Sequence, residues 1–214
     1  MRMRSSLVSA ALALIALPFG AACGQTGSPI VENSKQLNDD VTEAKRFLSS
    51  VDTCRLEAIP RLVQFLRKYE GRREPELQSL AAEARYDGGS ALRWRGHDKE
   101  AERWFDSVVR VYGRHQGLPF RRIVARANYM LGRTGHDSAD QERYLQRVLS
   151  AYRRTDDLEL LQTYADSLYA LSALRRASGQ KAEADVLAKQ ANDLYHVRII
   201  PRLPPPDPDG HICV

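Results

Sequence analysis

The residues of this chain best able to do chemistry are five histidines, three cysteines and a scatter of acids. His97, His115, His136, His196 and His211 stand apart, with no HExxH pair and no Cys/His spacing of a metal centre. Asp207, Asp209 and His211 fall close enough together to hold a cation, but the same residue types are ordinary turn formers, and no metal site is expected there. The chain contains no GxSxG, P-loop or GxGxxG. Glu57, Glu100, Glu102 and Glu142 recur at equivalent places on stretches that read as helices, and nothing marks two of them as a general acid and base. They read as solvated faces. No catalytic residue and no cofactor is therefore expected, and the chemistry left to the chain is recognition, together with whatever its cysteines do.

Those cysteines are Cys23, Cys54 and Cys213, and the first belongs to a distinctive leader. Arg2 and Arg4 make a short basic start, Leu7 to Phe19 is almost wholly apolar, and Gly20-Ala21-Ala22 are small. That order is a secretory signal peptide over residues 1–22, too short to read as a membrane span. Gly20 to Cys23 resembles a bacterial lipobox, whose cysteine becomes the lipidated first residue, although Gly20 stands where that pattern usually has Leu. Cleavage after Ala22 without lipid is the competing reading. Residues 23–33 are polar and contain Gly and Ser, as a flexible tether does. By the same resemblance, Gly24 lacks an acidic retention signal, which implies an outer-membrane lipoprotein facing the periplasm; a soluble periplasmic or secreted chain is the alternative. An odd cysteine count leaves one over in an exported protein. If Cys23 carries lipid, Cys54 and Cys213 form an even pair in an oxidising compartment, and a bridge between them would close a loop worth about 5 kcal/mol. The alternative is a half-buried Cys54 and a free Cys213.

Loss of Arg2 and Arg4 would lower the net charge from +5 to about +3, which leaves a mildly basic domain. An exported protein seldom meets nucleic acid, so the excess suits an anionic lipid surface or an acidic protein partner.

The elements that would position any site come from a repeat. Arg95 to Tyr112 and Thr134 to Tyr152 both contain Gly-His-Asp and close on an apolar face ending in Tyr. Trp104, Phe105, Val108, Val109 and Tyr112 lie over Tyr144, Leu145, Val148, Leu149 and Tyr152 at an offset of 40, spaced three and four apart as on one side of a helix. Each glycine is preceded by another helical stretch, so each unit is helix, turn, helix. A third copy has Gly179 at its turn and then Ala184, Ala188, Ala191 and Tyr195 on one face; a fainter first copy has Leu62, Leu66 and Tyr69. Pro60 should kink or delay the second helix of that first copy. Asp98 and Asp137 are expected as N-caps. Residues 198–214 are Pro-rich and predicted to be extended, with Ile199, Ile200 and Leu203 available to cover the last unit.

The stretch around Gly89, Gly96, Ala101 and Phe105 resembles the tetratricopeptide repeat, which places a small residue, a turn glycine, an alanine and an aromatic in that order. The third copy keeps Gly179, Ala184 and Ala191, while the second has Asp140 where Ala belongs. The period is 39 to 44 residues instead of 34, as in looser variants with a longer second helix. The resemblance implies an all-α solenoid of about four helix pairs over residues 34–197, in which small residues let helices approach and stacked neighbours supply the core.

In that family the first helix of each pair lines a concave groove. Carried over copy by copy, the groove positions are Tyr86, Arg93 and Trp94, then Arg122, Tyr129 and Arg133, then Tyr169 and Arg176. The resemblance thus implies a basic, aromatic groove for a protein or acidic peptide, because Arg grips carboxylates and flat aromatics bury area at little entropic cost. The same tyrosines would serve equally as packing between repeats, and Trp94 as an anchor or a core wedge. The expected function is a non-enzymatic binding module or scaffold of the cell envelope, held to the membrane by lipid on Cys23. A cell-wall enzyme or its regulatory domain, and an immunity-type protein that neutralises an effector, are the alternatives.

Overall fold

A computed structural model describes residues 29–52, 56–135 and 137–204, with the side chains of 29–33 left aside. Cys23, Cys54, Cys213, His136, the leader and the acids of the tail lie outside the described residues. The chain divides into two compact units, Met1–Leu37 and Asn38–Val214. Of the first, only the opening turns of one helix are described; the other described residues belong to the second.

The protein is all-α. Its helices are α1 (Pro29–Ser49), α2 (Ala58–Tyr69), α3 (Pro75–Trp94), α4 (Asp98–Tyr112), α5 (Leu118–Thr134), α6 (Ser138–Tyr152), α7 (Leu158–Ala177) and α8 (Lys181–Leu194). A π-helical turn, Tyr195–Ile199, and a 3-10 turn, Ile200–Arg202, come directly after α8. No strand occurs among the described residues.

Proline sets several starts. Pro75 opens α3, Pro119 is second in α5, and Pro60 falls in the first turn of α2. A first-turn proline lacks an N–H that would have no partner within the helix anyway, so Pro60 delays α2 and does not kink it. Pro29 does the same for α1, so the helix begins inside the stretch 23–33 read as a tether. The Gly and Ser content that suggested a tether ends at Ser28. Of the tail expected to be extended, residues 198–204 are described, and their first part is helical. Helical turns run on through Arg202, and of Ile199, Ile200 and Leu203 only Ile199 is buried, against Leu161 and Ala165 of α7. Ile200 and Leu203 remain exposed.

Each helix from α2 onward packs on the next, and α3, α5 and α7 also pack side by side. The repeated apolar positions form the core: Phe105, Val108 and Tyr112 on α4, Leu145, Val148 and Tyr152 on α6, Ala184 and Ala191 on α8, and Leu62, Leu66 and Tyr69 on α2. The helices of a pair meet at small residues. A Cβ added to Gly89 would stand 2.7 Å from the Phe105 ring, and one on Gly132 would stand 2.5 Å from Leu145. Gly88 is likewise covered by the Trp104 ring.

The two Gly-His-Asp turns are built differently. Gly96 has φ +76° and Gly179 φ +83°, the left-handed region that glycine enters at no steric cost. Each closes its helix with paired backbone bonds: His97 N–H to Leu92 O at 3.0 Å, and Gln180 N–H to Arg175 O at 2.9 Å. Gly135 is extended, at φ −52° and ψ 142°. The extra residue in the second unit moves the cap as well. Asp137 is the N-cap of α6 and accepts from Ala139 N–H at 3.0 Å, as expected. Asp98 is not a cap: it lies inside the first turn of α4, where His97 takes the N-cap place without a side-chain bond.

Two stability outcomes are expected. Asp137→Ala should cost about 1 kcal/mol and Asp98→Ala only a few tenths, read by urea unfolding; equal costs would mean that the two turns are alike after all. Gly89→Ala and Gly132→Ala should each cost about 1–3 kcal/mol by overpacking, against well under 1 kcal/mol for Gly71→Ala, which has open space around it.

Candidate functional site

The face made by α3, α5 and α7 carries two adjoining clefts. The first, about 540 Å³, lies beside the Gly96 turn. Its walls are Tyr86, Ser90, Arg93 and Trp94 of α3, Met130 and Arg133 of α5, and Asp98. The second, about 290 Å³, is formed by Tyr86, Arg126, Tyr129, Glu159, Gln162, Thr163 and Asp166. Tyr86 is common to both. Apart from the neighbours Arg93–Trp94 and Gln162–Thr163, the residues that each helix contributes are three or four apart, as on one helix face.

The polar side chains of this face fall into two groups, engaged and unengaged. Arg126 lies over the Tyr86 ring at 4.0 Å from its centroid and reaches Glu159 at 3.5 Å. Arg122 forks onto Asp157 and approaches Glu159 at 3.4 Å, while Asp157 also caps α7 by accepting from Leu160 N–H at 3.1 Å. The Arg122 guanidinium holds the Asp157 carboxyl below the usual range. It is a strut between the starts of α5 and α7. By contrast, Arg93 has no carboxylate partner among the described residues, and Arg133 donates only to Tyr129 Oη at 3.1 Å, lying 5.7 Å from that ring. Trp94 is 63% exposed and lines the first cleft, so it is no core wedge.

The expected groove residues therefore separate. Tyr86, Arg93, Trp94 and Arg133 meet in the first cleft, and Tyr129 joins Tyr86 in the second. Arg176 instead pairs with Asp185 of α8 at 2.7 Å, and the Tyr169 ring packs on Tyr195 at 6.1 Å while its hydroxyl donates to Asn192 at 3.4 Å. Neither lines the two clefts. Nor is Glu142 simply solvated, since it is clamped by Arg175 with a bond of 3.0 Å.

The face is also more acidic than a basic, aromatic groove would be. Glu159 and Asp166 line the second cleft, and Asp87 lies near Arg126. Burial pushes the Asp87 carboxyl up to about 6, with Glu83 adding to it and Arg126 opposing. Burial raises Asp166 as well, against the hydrogen bond that Tyr195 donates to it and the nearby Arg133. A consistent step of 40 residues from Tyr86 leads to Arg126 and then Asp166, and that register would have found both. Among the described residues no group of His, Cys, Asp and Glu is arranged to hold a metal ion. No protein-family model, curated protein or solved structure matches the chain.

The Asp87 carboxyl gives a test of how dry this face is. Its folded value stands above the ordinary one, so its proton contributes stability that is complete below about pH 4 and is lost as the pH rises through about 6. Asp87→Asn, which cannot ionise, should therefore gain on the wild type between about pH 4 and about pH 8, by about 3 kcal/mol. Thermal unfolding across that range measures it, and a difference independent of pH would show that the carboxylate is freely solvated.

Proposed function

We propose that this chain is a non-enzymatic recognition module of the bacterial cell envelope, a tetratricopeptide-like array of helix pairs whose α3–α5–α7 face receives an extended segment of a partner protein. The observation that carries this reading is the pair Arg93 and Arg133, two guanidiniums that form no ion pair among the described residues, which line one cleft with an exposed Trp94. Elsewhere on the same helices Arg85, Arg122, Arg126, Arg175 and Arg176 are tied into ion pairs. Cations outside any ion pair and an exposed aromatic at a cleft are groups available to a ligand. The repeat register, the glycine turns and the neighbour-on-neighbour packing support the array.

Envelope placement rests on the apolar run Leu7 to Phe19 and on the small residues before Cys23. No helix among the described residues is long and apolar enough to cross a membrane. Attachment is proposed through lipid on Cys23, and the partner surface is an acidic one.

Capture from envelope extracts by immobilised wild-type chain, Arg93→Ala/Arg133→Ala, Trp94→Ala and Arg176→Ala tests the face. The double variant and Trp94→Ala should each retain at least about tenfold less partner, and Arg176→Ala should retain as much as the wild type. Undiminished capture by the double variant would remove the face from consideration.

A further inference from the structure

The loops that join one helix pair to the next leave from a single edge of the array, opposite the Gly96 and Gly179 turns, because successive helices run antiparallel. Three of these segments touch. The Tyr152 hydroxyl at the end of α6 donates to Arg121 O of α5 at 3.2 Å, and the Arg121 guanidinium lies over the Tyr152 ring. Arg198 and Arg202, after α8, donate to Thr155 O at 3.1 Å and Asp156 O at 2.9 Å. The α4–α5 loop, the α6–α7 loop and the turns after α8 therefore form one continuous strip.

The strip is basic beyond its own ion pairs. Arg114, Arg121, Arg153 and Arg154 form no ion pair among the described residues, and Arg202 bonds a backbone carbonyl. Its acids are each engaged: Asp156 by Arg198, Asp157 by Arg122, Glu159 by Arg122 and Arg126, and Asp193 by Lys189. His115, Gln116 and Arg121 line a cleft of about 430 Å³ within it. Among these cations stand five large apolar side chains left exposed, Val111, Leu118, Val197, Ile200 and Leu203, with Val197 the most open at 73%. Cations outside ion pairs beside exposed apolar side chains match an anionic bilayer surface, where guanidiniums meet headgroup phosphates and apolar groups enter the acyl boundary.

The chain enters its larger unit at the same edge. Asp40 pairs with Arg72 at 2.8 Å, Glu43 with Lys68 at 2.6 Å, and Phe47 packs on Phe65. Helix α1 thus runs antiparallel to α2 there, and the unit's first residue, Asn38, begins beside the α2–α3 loop. Cys23 precedes Asn38 by fifteen residues, a reach of at most about 50 Å. We propose that the strip is a docking surface for the anionic phospholipid headgroups of a bilayer, with Val197, Ile200 and Leu203 at the acyl boundary. Helix α3 runs 20 residues away from this edge to Trp94, about 30 Å. A docked chain accordingly presents its first cleft away from the lipid. The peptide-binding reading above makes no use of this surface, and the two are tested apart.

Vesicle sedimentation tests the proposal with the mature chain, residues 23–214, made without lipid; it contains every described helix. At about 0.1 M salt it should bind phosphatidylcholine vesicles with about one-third phosphatidylglycerol at least about tenfold more tightly than pure phosphatidylcholine. Arg114→Gln/Arg153→Gln/Arg154→Gln should lose at least about tenfold of that affinity, and Val197→Ser/Leu203→Ser severalfold. The five side chains are exposed, so urea unfolding should show wild-type stability in both variants. Arg93→Gln/Arg133→Gln, which removes charge at the opposite edge, should bind vesicles as the wild type does. Equal binding to both vesicle types, or an equal loss in the opposite-edge variant, overturns the docking surface. Absence of vesicle binding overturns it as well, and a dimer that Val197→Ser/Leu203→Ser dissolves would assign the strip to a second copy of the chain.

Discussion

How closely two helices can approach decides most of what this protein is. Where α3 meets α4, the rings of Trp104 and Phe105 occupy the space that side chains at positions 88 and 89 would fill. Leu145 does the same at Gly132 between α5 and α6. Close approach puts an aromatic or leucine of one helix directly over the backbone of the other, where dispersion contacts are dense. It also fixes each helix about its own axis, because only one face of α3 or α5 lacks side chains. With that face turned to the partner helix, the rotation of α3 is set, and the Tyr86 ring comes to lie 5.4 Å from Phe105 at the edge of the cleft.

A second layer of order comes from arginine. Arg85 reaches back to Glu70, Arg122 forward to Asp157, and Arg175 back to Glu142, each joining one pair of helices to the next. These forks are partly shielded and bidentate or doubly engaged, the geometry in which an ion pair contributes more than a surface contact does. Their effect on the candidate site is indirect. Glu159 is shared between Arg122 and Arg126, and Asp157 is taken by Arg122 and the start of α7, while Arg93 and Arg133 farther along α3 and α5 form no ion pair among the described residues.

Much of this is legible in the residue pattern, for a physical reason. Burial recurs with the helix period, so Phe105, Val108 and Tyr112 and their counterparts 40 residues on mark both the helices and their inward faces. Left-handed glycines at 96 and 179 mark the turns, and Tyr86, Arg93, Trp94 and Arg133 do share a cleft. What pattern cannot carry is partnership. Arg122 and Arg176 look like Arg93 in sequence, and only the fold shows Asp157 and Asp185 beside them. Asp87 and Asp166 escape a match of aromatic and basic residues alone, although their register is visible. The repeated Gly-His-Asp misleads for the opposite reason: identical letters one residue out of phase produce a left-handed glycine in one unit and an aspartate cap in the other.

The π-helical turn after α8 bears on how such a chain could have grown. Helices α2 to α8 pack on neighbours no more than two places away in chain order, so in principle another pair could be appended with little disturbance to those before it. Ile199 closes that route. It lies fully buried on Leu161 and Ala165, the flank of α7 that an added helix would need, while Arg198 and Arg202 fasten the turn to the backbone at residues 155 and 156. A few residues of irregular helix thus cover that flank of α7, and a helix packed there would first have to displace them.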